Sequence, residues 1–108
     1  MRPLIILILS LLLTACATDY RAAQAKAVLK LSRQGYDLRW VDHQTTIISV
    51  DDRKWIPGRR YGWYDPETKD IIVLKNVNTH VLCHEYQHFL LHELRIDIGE
   101  HHGIINGS

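Results

Sequence analysis

The sequence predicts an α+β domain with an N-terminal helix, a small and mainly antiparallel sheet, one long helix and an irregular C-terminal tail. Three observations carry that expectation. Residues 22–34, "AAQAKAVLKLSRQ", are rich in helix formers and stop at Gly35, and glycine is a common helix terminator. The segments "TTIISV" (45–50) and "DIIVLK" (70–75) are rich in β-branched residues and read as strands. "HVLCHEYQHFLLHEL" (80–94) then runs without a Gly or Pro, as a helix requires.

The elements follow in order. In the first helix Ala25, Val28, Leu29 and Ser32 recur at three- and four-residue spacing, so that face is expected to pack inward. "YDLRWV" (36–41) alternates polar and apolar residues and is expected to form a further strand before 45–50. The stretch 51–70 carries turn signals at Pro57-Gly58 and Asp65-Pro66, with a short strand or hairpin arm around Tyr61 to Tyr64. Asn78 or Thr79 caps the long helix, whose buried side is marked by Val81, Leu82, Tyr86, Phe89 and Leu90. Gly99, Gly103 and Gly107 then punctuate a tail expected to be mostly turns.

The chain opens on "MRPLIILILSLLLTAC", with one basic residue, an apolar run from Leu4 to Leu13, and small residues before Cys16. That is the layout of a secretory leader, and the run falls short of the ~20 residues a membrane-spanning helix needs. "LTAC" resembles the lipobox of bacterial lipoproteins. The resemblance implies cleavage before Cys16 and lipidation of Cys16. With Ala17 next instead of Asp, it also implies an outer-membrane location facing the periplasm. The expected organisation is a signal peptide at 1–15, a lipidated tether at 16–21 and one domain at 22–108.

With Cys16 committed to lipid, Cys83 is the remaining cysteine and no internal disulfide is expected. So small a core gains from a bound metal. The chain has 13 Lys and Arg against 12 Asp and Glu, one of the basic residues being Arg2 of the leader. That balance offers no electrostatic case for nucleic-acid binding.

Of seven histidines, six lie from residue 80 onward, so the chemistry is concentrated near the end of the chain. "HEYQH" (84–88) sets His84 and His88 one helical turn apart, on one face and about 6 Å from each other. Both can reach one zinc ion through the ~2.0–2.1 Å bonds that imidazole makes. Glu85 is turned ~100° from His84, beside the ion but not on it. That suits a general base acting on zinc-bound water, the metallopeptidase reading of H-E-x-x-H.

A third ligand is needed. His92 continues the same face, but it lies about 12 Å from His84 along the axis at ~1.5 Å per residue, too far to share an ion. The chain is expected to turn back at Gly99, which brings Asp97, Glu100, His101 and His102 into contention.

A strand, then "HEYQH", then a turn and "HHG" resembles the zincin peptidases, and within them the SprT-like group. The resemblance covers about residues 70–103. It implies a mini-zincin fold, Glu85 as base, and His84, His88 and His102 as zinc ligands, with His101 as the fallback. "HEYQHFLLH" also resembles the ImmA/IrrE peptidases, which would put Glu100 in place of His102. Zincin likeness further implies that the strand 70–75 lines the cleft and pairs with an extended peptide or protein substrate.

The expected function is a membrane-anchored, zinc-dependent hydrolysis of peptide bonds. The competing expectation is a non-enzymatic envelope lipoprotein that binds zinc. Cys83 is expected as a buried apolar thiol, and Tyr61 and Tyr64 as packing residues able to donate to an oxyanion. "RKWIPGRR" (53–60) is expected to be a solvated loop with the option of touching anionic headgroups or cell-wall polymer.

Overall fold

The computed structural model describes residues 20–107. The expected signal peptide at 1–15, Cys16 and the expected tether as far as residue 19 lie outside the described residues. Helix α1 occupies 20–33, so the last two residues of the expected tether are helical. Strand β1 (Thr46–Val50), two short 3-10 turns (Arg53–Trp55 and Pro57–Arg59), β2 (Gly62–Asp65), β3 (Asp70–Leu74), α2 (Thr79–Glu93) and α3 (Ile98–Asn106) follow. This is an α+β arrangement of three helices and a three-stranded sheet. Among the described residues no helix is long and apolar enough to cross a membrane.

The sheet order is β1-β3-β2. β1 runs parallel to β3, with Ile47 opposite Ile71, and β2 runs antiparallel to β3, with Tyr64 opposite Ile71 and Gly62 opposite Val73. The sheet is therefore mixed, where a mainly antiparallel one was expected. β3 is the central strand, and both of its edges are already paired. The expectation that 70–75 offers an edge to substrate is thus overturned: β1 and β2 are the edge strands, and it is β2 that borders the cleft.

Alternation along the strands sends Ile71, Val73 and Tyr64 into the core, since successive side chains leave a strand on opposite faces. There they join Leu82, Cys83, Tyr86, Phe89 and Leu90 of α2 and Ile105 of α3. α1 contributes Ala23, Ala27 and Leu31, while Ala25, Leu29 and Ser32 are exposed. The inward face is the i, i+4, i+8 row of two alanines and one fully buried leucine. Of the expected face, Val28 alone is partly buried.

Segment 36–41 is not a strand. Asp37 Oδ1 accepts from Arg39 N at 3.1 Å, a local bond that competes with sheet pairing. Leu38 drops into the core while Trp40 is 88% exposed, so the alternation is that of a turn anchored by one leucine.

α2 ends in a reversal at Arg95, which has φ of 63°. Arg95 N donates to His92 O at 2.9 Å and Ile96 N to Leu91 O at 3.0 Å, the paired bonds of a Schellman termination. The chain thus turns back four residues before Gly99, the position expected from sequence. The expected irregular tail is helical over Ile98–Asn106. Its glycines weaken it by about 1 kcal/mol each relative to alanine. Burial of His101 and Ile105 and the bond from Gln34 Nε2 to Ile104 O at 3.0 Å offset that weakness.

Candidate metal centre

Asn78 caps α2, its Oδ1 accepting from Val81 N at 2.9 Å. The helix then projects His84 and His88 from one face, ring centroids 4.8 Å apart and Nε2 atoms 3.2 Å apart. Two nitrogens bound to one tetrahedral zinc at ~2.0–2.1 Å would be roughly 3.3 Å apart, so this separation suits a shared ion. α3 brings His102 alongside, its ring 5.5 Å from that of His84 and 4.9 Å from that of His88. One ligating nitrogen from each of the three lies within 4.8 Å of the others. Together they could hold a metal ion.

His101 takes a different place. It is 1% exposed, with Nε2 2.9 Å from Ile96 O and Nδ1 3.0 Å from Nδ1 of His88. Both of its ring nitrogens are engaged, so neither is free to bind an ion. Glu100 is exposed in the first turn of α3 and outside the histidine group. Asp97 is likewise exposed and outside the group, so of the four residues left in contention by the sequence the geometry favours His102. His92 is turned away, its Nδ1 bonded to Tyr64 OH at 2.7 Å.

The electrostatics prepare the imidazoles for a cation. Burial holds His84 below the ordinary histidine range, helped by His102 and His80. His88 falls to about 3, through burial first and then its histidine neighbours. Both rings are neutral at pH 7, the form that ligates metal.

Glu85 is 6% exposed, and burial pushes its carboxyl up to about 7, against the opposing pull of Arg60. β2 lies directly on it. A Cβ added at Gly62 would come within 2.9 Å of Val81 Cγ1 and 3.1 Å of Glu85 Cγ. Glycine is therefore what allows the strand to reach the acid. Sequence reasoning passed over Gly62; the one available signal was a glycine flanked by aromatic residues in a short strand, which marks close backbone approach.

The three histidines and Glu85 line a cleft of about 340 Å³, walled by Arg60, Gly62, Trp63, Tyr64 and Pro66 on the β2 side and by Ile98 on α3. Arg60 carries its guanidinium 5.3 Å from the Trp63 ring centroid. Tyr64 lines the cleft, but its hydroxyl is occupied by His92, and burial raises its pKa to about 12. Tyr61 is exposed beneath Arg53, 4.2 Å from ring centroid to guanidinium carbon. Cys83 is buried with its thiol pushed up by burial and its Sγ 3.7 Å from Gln87 Oε1.

No family model, no curated protein and no solved structure matches this chain. The function has to be argued from the residues themselves.

Proposed function

We propose that the protein is a zinc-dependent peptidase, a mini-zincin whose metal motif is similar to that of the SprT-like group, anchored to the envelope through Cys16. The observation that supports this reading is a buried carboxyl, Glu85, set beside three convergent histidines that line an open cleft. Three imidazoles and no thiolate suit a catalytic zinc, because three protein ligands leave the fourth tetrahedral position for a reactant. Zinc held there supplies Lewis-acid polarisation of a carbonyl and lowers the pKa of water toward ~7.

The rest of the work falls to the chain. His84, His88 and His102 would hold the ion, and burial keeps His84 and His88 neutral, so that no proton must be displaced from those two first. Glu85 takes a proton from the attacking water, whose oxygen bonds to the acyl carbon. As the C–N bond breaks, Glu85 returns that proton to the departing amine nitrogen. A carboxyl that titrates near 7 is suited to both halves of this exchange. The outer edge of β2 offers main-chain groups to an extended peptide, and Trp63, Pro66 and Ile98 give its side chains an apolar wall.

The test is a set of variants measured by zinc titration and by cleavage of a peptide library. Glu85→Gln should keep zinc while hydrolysis falls by on the order of 100-fold or more. His88→Ala and His102→Ala should each lose zinc, and His92→Ala should bind within a few-fold of wild type. Equal cleavage by Glu85→Gln and wild type would end the peptidase reading. Zinc binding by wild type with no cleavage would leave a binding protein only.

A further inference from the structure

The pair His101–Ile96 does something that neither the ligands nor the base accounts for. A backbone carbonyl can only accept, so His101 must carry its proton on Nε2 to bond Ile96 O at 2.9 Å. A neutral imidazole protonated on Nε2 has its lone pair on Nδ1. That lone pair faces Nδ1 of His88 at 3.0 Å. Two lone pairs would repel at this distance, so His88 must carry its proton on Nδ1 and donate it. Its Nε2 is then bare, and it is the nitrogen that points at His84, 3.2 Å away.

We propose that His101 is a positioning residue that locks His88 in the Nδ1–H tautomer and so presents a bare Nε2 to the metal. The inference rests on the reading that His84, His88 and His102 hold a metal ion. Its origin is the Schellman turn. Ile96 follows the left-handed Arg95 and spends its N–H on Leu91 O. Its carbonyl is then available to the buried ring of His101, five residues on. One main-chain carbonyl thereby sets the proton positions of two rings. Metal-bound histidines usually give their second N–H to a carboxylate, carbonyl or water, and loss of that partner costs about 10–100-fold in affinity. Here an imidazole takes that part, and the carbonyl behind it decides the direction.

The experiment uses protein labelled with nitrogen-15 at histidine, metal-free and then loaded with zinc alone. Long-range proton–nitrogen correlation spectra report which ring nitrogen carries the proton. Neutral histidine in water favours Nε2–H, so Nδ1–H at His88 and Nε2–H at His101 in the metal-free protein are the diagnostic result. Nε2–H at His88 would overturn the proposal.

Two variants test the consequence. His101→Leu removes both ring nitrogens, and zinc affinity should fall by about 10–100-fold. His101→Gln offers an amide oxygen to His88 and an N–H to Ile96 O, and should restore affinity to within a few-fold of wild type together with the Nδ1–H signal. Gln and Leu variants with equal affinities would overturn the positioning role, and unaltered affinity in His101→Leu would do the same. Should neither variant fold, the wild-type tautomers still decide the matter. None of these readouts involves a substrate. A relay seen in a protein that cleaves nothing removes the peptidase reading alone, while active enzyme with Nε2–H at His88 removes this one alone.

Discussion

The two helices that meet at the histidine group are built on opposite terms. α2 is capped by the Asn78 side chain, contains neither Gly nor Pro, and buries eight residues along its length. α3 has no side-chain cap at Asp97, contains Gly99 and Gly103, and buries His101 and Ile105. α2 carries two of the proposed ligands at i and i+4, so helix formation alone brings them together. α3 carries the third, and its position depends on the Arg95 reversal and on packing against α2. A metal site built this way would join a locally encoded half to a half that tertiary contacts must supply.

Removing metal should separate the halves most strongly. On chelation, amides of α3 should lose hydrogen-exchange protection by on the order of tenfold or more, with a smaller change in the core of α2. The reasoning is that α3 has little intrinsic stability, while metal binding couples to folding. Equal loss in both helices would show that the site unfolds as one unit and that the contrast is mistaken.

Gly62→Ala attacks the interface between β2 and α2. The new methyl meets Val81 Cγ1 and Glu85 Cγ inside normal contact distance. Overpacking of this kind costs about 1–3 kcal/mol. Hydrolysis should fall further than zinc affinity, because Glu85 is displaced and the ligands are not. Unchanged melting temperature and unchanged cleavage would mean that the strand yields freely.

α2 also holds two groups whose titrations oppose each other. Glu85 has a folded pKa raised to about 7 from 4.5, so the metal-free protein loses stability as pH rises through that window. His88 has a folded pKa lowered to about 3 from 6.5, so the protein loses stability as pH falls through that one. The two windows overlap between the unfolded carboxyl and imidazole values, and there the slopes oppose. Glu85→Gln removes one of them. Between pH 5 and 6.5, stability of the metal-free variant should rise with pH more steeply than wild type by about 1.4 kcal/mol per pH unit, one proton's worth. Denaturant titrations across that range would measure it, and parallel profiles would show that Glu85 is not held protonated by burial.

The smallest effect sharpens the account of α3. Gly103 is exposed, and a Cβ there meets nothing within 4 Å. Gly103→Ala should stabilise the metal-free protein by up to about 1 kcal/mol, with zinc affinity maintained. A lowered melting temperature would show that the glycine serves the fold in some other way.

The sequence specifies without help those elements whose signals are local: α1 closed by Gly35, the strands around 45–50 and 70–75, and α2 with its Asn78 cap. It also determined that His84 and His88 share a face with Glu85 beside them, because the helical repeat sets those directions whatever surrounds the helix. Tertiary structure decided the rest. Segment 36–41 alternates as a strand would but forms a turn in which Asp37 bonds locally to Arg39, and whether β3 or β2 formed the cleft edge depended on sheet order, which no local pattern encodes. His101 and His102 differ through adjacent positions on α3: the ring of one is buried and bonded to Ile96 O, while its neighbour joins His84 and His88 in the histidine group. A helix step of ~100° separates them, and only the packing of α3 on α2 decides which of the two joins the histidine group.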